Sequence, residues 1–224
     1  MEGGERIEDL KLILSRVAEI ATLFDDDGIL VRFMNSNVEG NGIRSAADAA
    51  ALLTKASRRA GAAAGVTFGG TTPLAASMHS RVLQGVVLPA AARGALAKPV
   101  LVISITDGEP TDTPKDAILQ ARARAGARVI RDARARLAPQ YGPRPIAFQF
   151  AQVGRDARAQ AFLSKLDQDP GVGDIIDCTS YFELEAEEFA RKGVNLSVEA
   201  WLLKLMVGAI DPSYDAEDEG PQRR

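Results

Sequence analysis

Asp107, Glu109 and Asp112 place three carboxylates in one short stretch of the chain. Clustered carboxylate oxygens are hard donors of the kind that suit Mg²⁺. A cation so held could polarise a substrate for hydrolysis or phosphoryl transfer, or it could take an acidic group from a partner. The element that must position them is the run Val100 to Ile105, dominated by β-branched residues with a single Ser104. It predicts a strand buried on both faces of a parallel sheet. Turn chemistry comes immediately after it: Asp107-Gly108, Pro110, Thr111-Asp112, then Thr113 as N-cap with Pro114 at the first helical position. The carboxylates therefore belong at the carboxyl end of a central strand, the edge where open α/β sheets bind ligands.

Three other groups could do chemistry, and each has a plainer reading. Asp25-Asp26-Asp27 precedes Gly28 and reads as a helix-to-strand turn rather than a metal site, because such turns favour Asp and Gly. Thr71 and Thr72 stand before Pro73 and suit helix capping. Cys178 ends a short apolar run and reads as a small buried hydrophobe. A nucleophile would need an oriented base, and His79 is the single histidine.

Around these groups the periodicity sets out alternating elements. Ile7 to Phe24 predicts an amphipathic helix and Ile29 to Met34 a strand, with Asn35 to Gly42 as a polar loop. Ser45 caps an alanine-rich helix to about Arg59, and Val66 to Gly70 is a short extended segment. The helix opened by Pro73 turns Leu74, Met78, and Val82 or Leu83 inward. Gly85 to Ala97 is helical or irregular. A long helix runs from Pro114 to Leu137, its end marked by Pro139, Gly142, Pro143 and Pro145. Ile146 to Val153 is the next strand, with Phe148 and Phe150 on one face. Asp156 caps a helix to Leu166, Asp174 to Cys178 is a further strand, and Ser197 caps a final amphipathic helix through Trp201, Leu205 and Ile210. The alternation implies an α/β fold, a mostly parallel central sheet with helices on both faces.

Composition narrows the function classes. A hydrophobic fraction of 46% in 224 residues supplies one sizeable core. The net charge of -3 argues against nucleic acid and anionic membrane as partners. The arginines from Arg122 to Arg136 fall on the long helix and read as its solvated face. A single cysteine suits a reducing compartment. No window reaches the ~18 apolar residues of a membrane span, so the expected location is cytoplasmic.

Several motifs together resemble the von Willebrand factor A (vWA) family, and most closely its intracellular, fungal-type branch. They are Ala18 to Ala21 (Ala-Glu-Ile-Ala), Asp27 to Ile29, Gly69-Gly-Thr-Thr-Pro-Leu74, Thr106 to Asp112 (Thr-Asp-Gly-Glu-Pro-Thr-Asp), Gln149 to Gly154, Asp174 to Asp177, and the closing run to Ile210. The resemblance implies a Rossmann-like vWA fold over residues 1–211, then a disordered tail, 212–224. It also implies a metal-ion-dependent adhesion site, in which a divalent cation, Mg²⁺ or another, docks a carboxylate of a protein partner without catalysis. Thr72 matches the family's threonine ligand and Asp107 its aspartate. Thr71, Gly108, Glu109 and Asp112 fall beside them as supporting or partner-binding residues.

The chain departs from the family at its start. No Asp-x-Ser-x-Ser precedes the first helix, and Met1-Glu-Gly-Gly-Glu-Arg6 resembles the residues just after that motif in the family. The expectation is that the first strand and first metal loop are missing, through a truncated gene model or degeneration of the site. Neighbouring strands would then keep unpaired edges, and metal affinity would fall with ligand number. Two alternatives stand beside the interaction module: a metal-dependent enzyme using the Asp107 cluster, and a fragment without independent function. The absence of a Gly-rich phosphate loop, a second metal cluster or a base poised near neutral pH favours the module, which is not an enzyme.

Overall fold

The computed structural model describes residues 4–58, 70–111, 119–170, 172 and 175–211. It is mixed α/β, and its contacts gather into two compact units, Met1–Pro73 and Leu74–Arg224. Among the described residues no helix is long and apolar enough to cross a membrane.

The first unit is two helices and a hairpin. α1 (Gly4–Ala21) buries Leu10, Ile13, Leu14, Val17 and Ala18, the three-and-four spacing that the sequence carries, and packs on α2 (Ala46–Arg58). The aspartate run is a turn: the Asp27 amide donates to Asp25 Oδ1 at 3.2 Å and the Gly28 amide to the Asp25 carbonyl at 3.3 Å. β1 (Ile29–Phe33) then pairs antiparallel with β2 (Ser36–Ile43) across a tight turn at Met34-Asn35.

The expected loop from Asn35 to Gly42 is thus a strand. Its polar composition hid the period, since Ser36, Gly40 and Ile43 are its buried positions and only one of them is a large hydrophobe. A Cβ at Gly40 would come within 2.5 Å of Leu52 Cδ2, so the absent side chain is what seats α2 on the hairpin. Arg32, which breaks the alternation of β1, lies opposite Glu39, donates to the Gly40 carbonyl at 3.1 Å and approaches Glu39 Oε2 at 3.6 Å.

Ser45 opens α2 as expected, with a reciprocal cap. The Asp48 amide donates to Ser45 Oγ at 3.1 Å, while Asp48 Oδ2 accepts from the Arg44 amide at 3.1 Å and the Ser45 hydroxyl at 2.9 Å. The hydrogen bond from the Arg44 amide, then that from Ser45, hold the Asp48 carboxyl below the usual carboxylate range. A carboxyl lowered on folding stabilises above its unfolded pKa, and that contribution is lost as pH falls through the folded value. Ser45→Ala is expected to cost about 1 kcal/mol by denaturant titration. The melting difference between the natural chain and Asp48→Asn should hold steady at neutral pH and vanish on acidification below the carboxylate range. A difference that grows in acid contradicts this assignment.

The second unit is a three-stranded parallel sheet flanked by helices, in the order β3 (Val100–Thr106), β4 (Ile146–Gln152), β5 (Ile176–Thr179). Central β4 carries the core: Phe148 and Phe150 are 0% and 1% exposed. α3 (Leu74–Ser77), a π-helical segment (Met78–Val87) and α4 (Leu88–Ala92) precede the sheet as consecutive helical turns. The wide middle changes which side chains face inward. Met78, Leu83 and Val87 are buried and Val82 is only half-buried, so Leu83 is the inward one of the expected pair, the inward position advancing by five residues from Met78 to Leu83.

α5 (Leu119–Tyr141) comes after β3. Ala127, Ile130, Ala133 and Leu137 form its buried stripe, and Arg128, Arg131 and Arg136 lie exposed, the solvated face expected of the arginine run. The helix runs through Pro139 rather than ending before it, and Gly142 (φ +89) terminates it. α6 (Ala157–Asp167) is capped by Asp156 Oδ1, which accepts from the Arg158 and Ala159 amides. After β5 come α7 (Phe182–Arg191), not anticipated from periodicity, and α8 (Val198–Val207), capped by Ser197 as expected. α8 stops before Ile210, which is 54% exposed. Residues 66–69, Asp112 to Pro114, Asp174 and the tail after Asp211 lie outside the described residues.

Candidate functional site

The carboxyl edge of the parallel sheet is built by the last residues of β3 and β4. Thr106 is 3% exposed and clamps the turn after it: its hydroxyl donates to the Gly108 carbonyl at 3.1 Å and accepts from the Gly108 amide at 3.4 Å. The Val153 amide donates to the Thr106 carbonyl at 2.9 Å, fixing the two strand ends together. Asp107, Gly108 and Glu109 emerge from this clamp half-buried, and Pro110 behind them is buried. A short hydroxyl at the strand's last position thus presents a carboxylate at the edge on a turn that cannot unwind without losing two part-buried hydrogen bonds.

Gln152 is paired in register with Thr106 and does the same for the next turn. Its Nε2 donates to the carbonyls of Gly154 and Asp156 at 3.1 and 3.0 Å. The amide orientation is fixed by those two bonds, and it leaves Oε1 buried with no hydrogen-bond partner in a residue 1% exposed. A buried amide oxygen without a donor is costly, so this is a position where a water, a cation or a ligand N–H is favoured. Nothing in the sequence marked Gln152 for a role. The available signal was a polar residue closing an apolar strand immediately before Val153-Gly154.

The expected ligands divide between the two units. Thr71 and Thr72 belong to the first, where Thr71 is exposed with its carbonyl accepting from Asn35 Nδ2 at 2.7 Å, and Thr72 is half-buried. Asp107, Gly108 and Glu109 belong to the second, and Asp112 lies outside the described residues. Within the second unit, the Asp107 carboxylate and the Gln152 amide oxygen are hard oxygen donors of the chemistry that Mg²⁺ takes. Among the described residues no group of three or more His, Cys, Asp and Glu side chains is placed to hold a metal ion.

Cys178 is half-buried, with its thiol directed at the Leu163 carbonyl at 3.4 Å, and His79 is exposed on the π-helical segment. Compared with known proteins, the chain matches no protein-family model, no curated protein and no solved structure.

Proposed function

We propose that the chain is a vWA-type protein-interaction module of Rossmann-like fold, acting inside the cell. In this reading a divalent cation at the Asp107 edge docks an acidic residue of a protein partner. The observation that carries it is the placement of Asp107: half-buried, on a clamped turn, at the carboxyl end of a parallel strand. The motif resemblance from Ala18 to Ile210 supports it, with Asp107 and Thr72 as the matching ligands and Thr71, Gly108 and Glu109 beside them. The role is recognition rather than catalysis.

With so few donors at this edge, the cation is held jointly by protein and partner, and weakly by the protein alone. Millimolar Mg²⁺ alone is therefore expected to leave the melting temperature unchanged, since stabilisation requires a concentration above the dissociation constant. Capture of partner proteins by the immobilised chain is expected to need Mg²⁺, to fail in EDTA, and to fail with Asp107→Ala. Capture that is equal in Mg²⁺ and EDTA would sink the proposal, and a clear Mg²⁺-dependent rise in melting temperature would sink the shared-cation part of it.

A further inference from the structure

The turn between β4 and α6 sets an arginine at the same sheet edge as Asp107. β3, β4 and β5 are parallel, so the residues leaving their carboxyl ends share one edge of the second unit. Asp107 follows β3, Arg155 follows β4 and Tyr181 follows β5. The backbone on either side of Arg155 is held by a side chain from inside the sheet. Buried Gln152 donates from Nε2 to the Gly154 carbonyl at 3.1 Å and to the Asp156 carbonyl at 3.0 Å, one residue before Arg155 and one after it. Asp156 is tied down in turn as the cap of α6. The Val153 amide joins the start of the turn to Thr106, the residue before Asp107.

The arginine side chain is exposed, and it too is restrained. Its guanidinium lies 5.7 Å from the centroid of the half-buried Tyr181 ring. A guanidinium placed over a ring is engaged through its flat face, and its N–H donors lie in the guanidinium plane, outside that contact. Among the described residues no carboxylate pairs with Arg155. Arg128 and Arg131 on α5 differ, since each approaches an aspartate: Asp132 at 4.0 Å and Asp169 at 3.6 Å. The edge is therefore divided by charge, with Asp107 and Glu109 at the end of β3 and a restrained cation with open donors at the end of β4.

We propose that Arg155 takes a second carboxylate of the protein partner, beside the one that binds the cation at Asp107. The docking segment of the partner accordingly carries two acidic residues. This inference rests on the reading of Asp107 as a cation ligand. A planar guanidinium matches a carboxylate at two points, which adds geometric selection to charge. One carboxylate on a cation leaves the segment free to turn about it. A second, on an arginine one strand further along, fixes the direction in which the segment crosses the edge. It also rejects surfaces that offer a single acidic residue, because on them Arg155 stays unmatched.

Nuclear magnetic resonance titration with synthetic Gly-Ser peptides tests this. One peptide carries a single glutamate, and three others carry two glutamates placed two, three or four residues apart. In Mg²⁺ at least one two-glutamate peptide is expected to bind roughly tenfold tighter than the single-glutamate peptide, as a charge-assisted contact should give. Only the two-glutamate peptides should move the amide resonances of Gly154 to Asp156. Arg155→Met, at an exposed position, is expected to remove the preference. Equal binding of all four peptides by the natural chain, or a preference that survives Arg155→Met, overturns the role of Arg155 while Mg²⁺-dependent binding of the single-glutamate peptide upholds the cation reading. Single-glutamate binding that is absent, or equal in Mg²⁺ and EDTA, overturns the cation reading and this inference with it.

Discussion

Lys204→Met is expected to lower the free energy of unfolding by roughly 3–5 kcal/mol, the range for removing one partner of a buried ion pair. Lys204 Nζ donates to Glu185 Oε2 at 3.0 Å, and the two side chains are 11% and 7% exposed. Glu185 Oε1 accepts from the Ser180 amide at 2.9 Å, and the Ser180 carbonyl accepts from Trp201 Nε1 at 3.1 Å. The pair therefore joins α7, α8 and the connection leaving β5. Methionine keeps most of the lysine stem's volume, so lost packing is a minor part of the cost. The rest is a carboxylate, shut away from water, that has lost its cation. Glu185→Gln with Lys204→Met should recover most of the loss, because the neutral amide oxygen still accepts from Ser180. Equilibrium denaturation of the single and double variants measures both. A double variant as unstable as Lys204→Met alone would show that the buried charge is not the cause.

The fold was legible where burial and period coincide. α1 repeats apolar residues at three and four, and β4 is almost wholly apolar, so both are where the sequence put them. Caps were equally legible at Ser45, Asp156 and Ser197, since a short polar side chain before an apolar-periodic run has few other uses. The structure that escaped has apolar residues that are few or out of step. β2 buries a serine and a glycine, the π-helical segment advances by five, and α7 is dominated by glutamates.

The candidate site divides the same way. Asp107 could be placed at a strand end from turn residues alone, because that depends on neighbours in sequence. Gln149 and Asp177 owe their hydrogen bonds to residues brought together by the sheet, and a polar residue inside a strand gives no sign of which partner satisfies it. Thr72 and Asp107 fall in two separate units, a division that no local pattern specifies.

Gly208→Ala separates local propensity from tertiary packing, because the two disagree in sign. Gly208 ends α8 at φ -50, ψ -51, where alanine is unstrained and should gain up to about 1 kcal/mol over glycine. A Cβ there, however, would overlap Asp177 Oδ2 and stand 2.7 Å from Asp177 Cγ. Asp177 is 2% exposed and cannot easily retreat: its Oδ2 accepts from Gln149 Nε2 at 2.6 Å, and the same Nε2 is directed at Thr179 Oγ1 at 2.9 Å. Nor can the helix end move away, since the Ala209 amide donates to Gln149 Oε1 at 3.3 Å. Overpacking costs about 1–3 kcal/mol, and loosening a hydrogen bond to a buried carboxylate costs a further ~1.5–3 kcal/mol. The clash wins, and Gly208→Ala is expected to destabilise by roughly 2–4 kcal/mol net of the propensity gain. In an Asp177→Ala background the obstructing oxygen is gone, so the same substitution should become neutral or slightly stabilising. If Gly208→Ala in the natural chain melts at or above the parent, the close approach of α8 to Asp177 is not as described. If its cost is undiminished in the Asp177→Ala background, the cause lies in the backbone rather than in that contact.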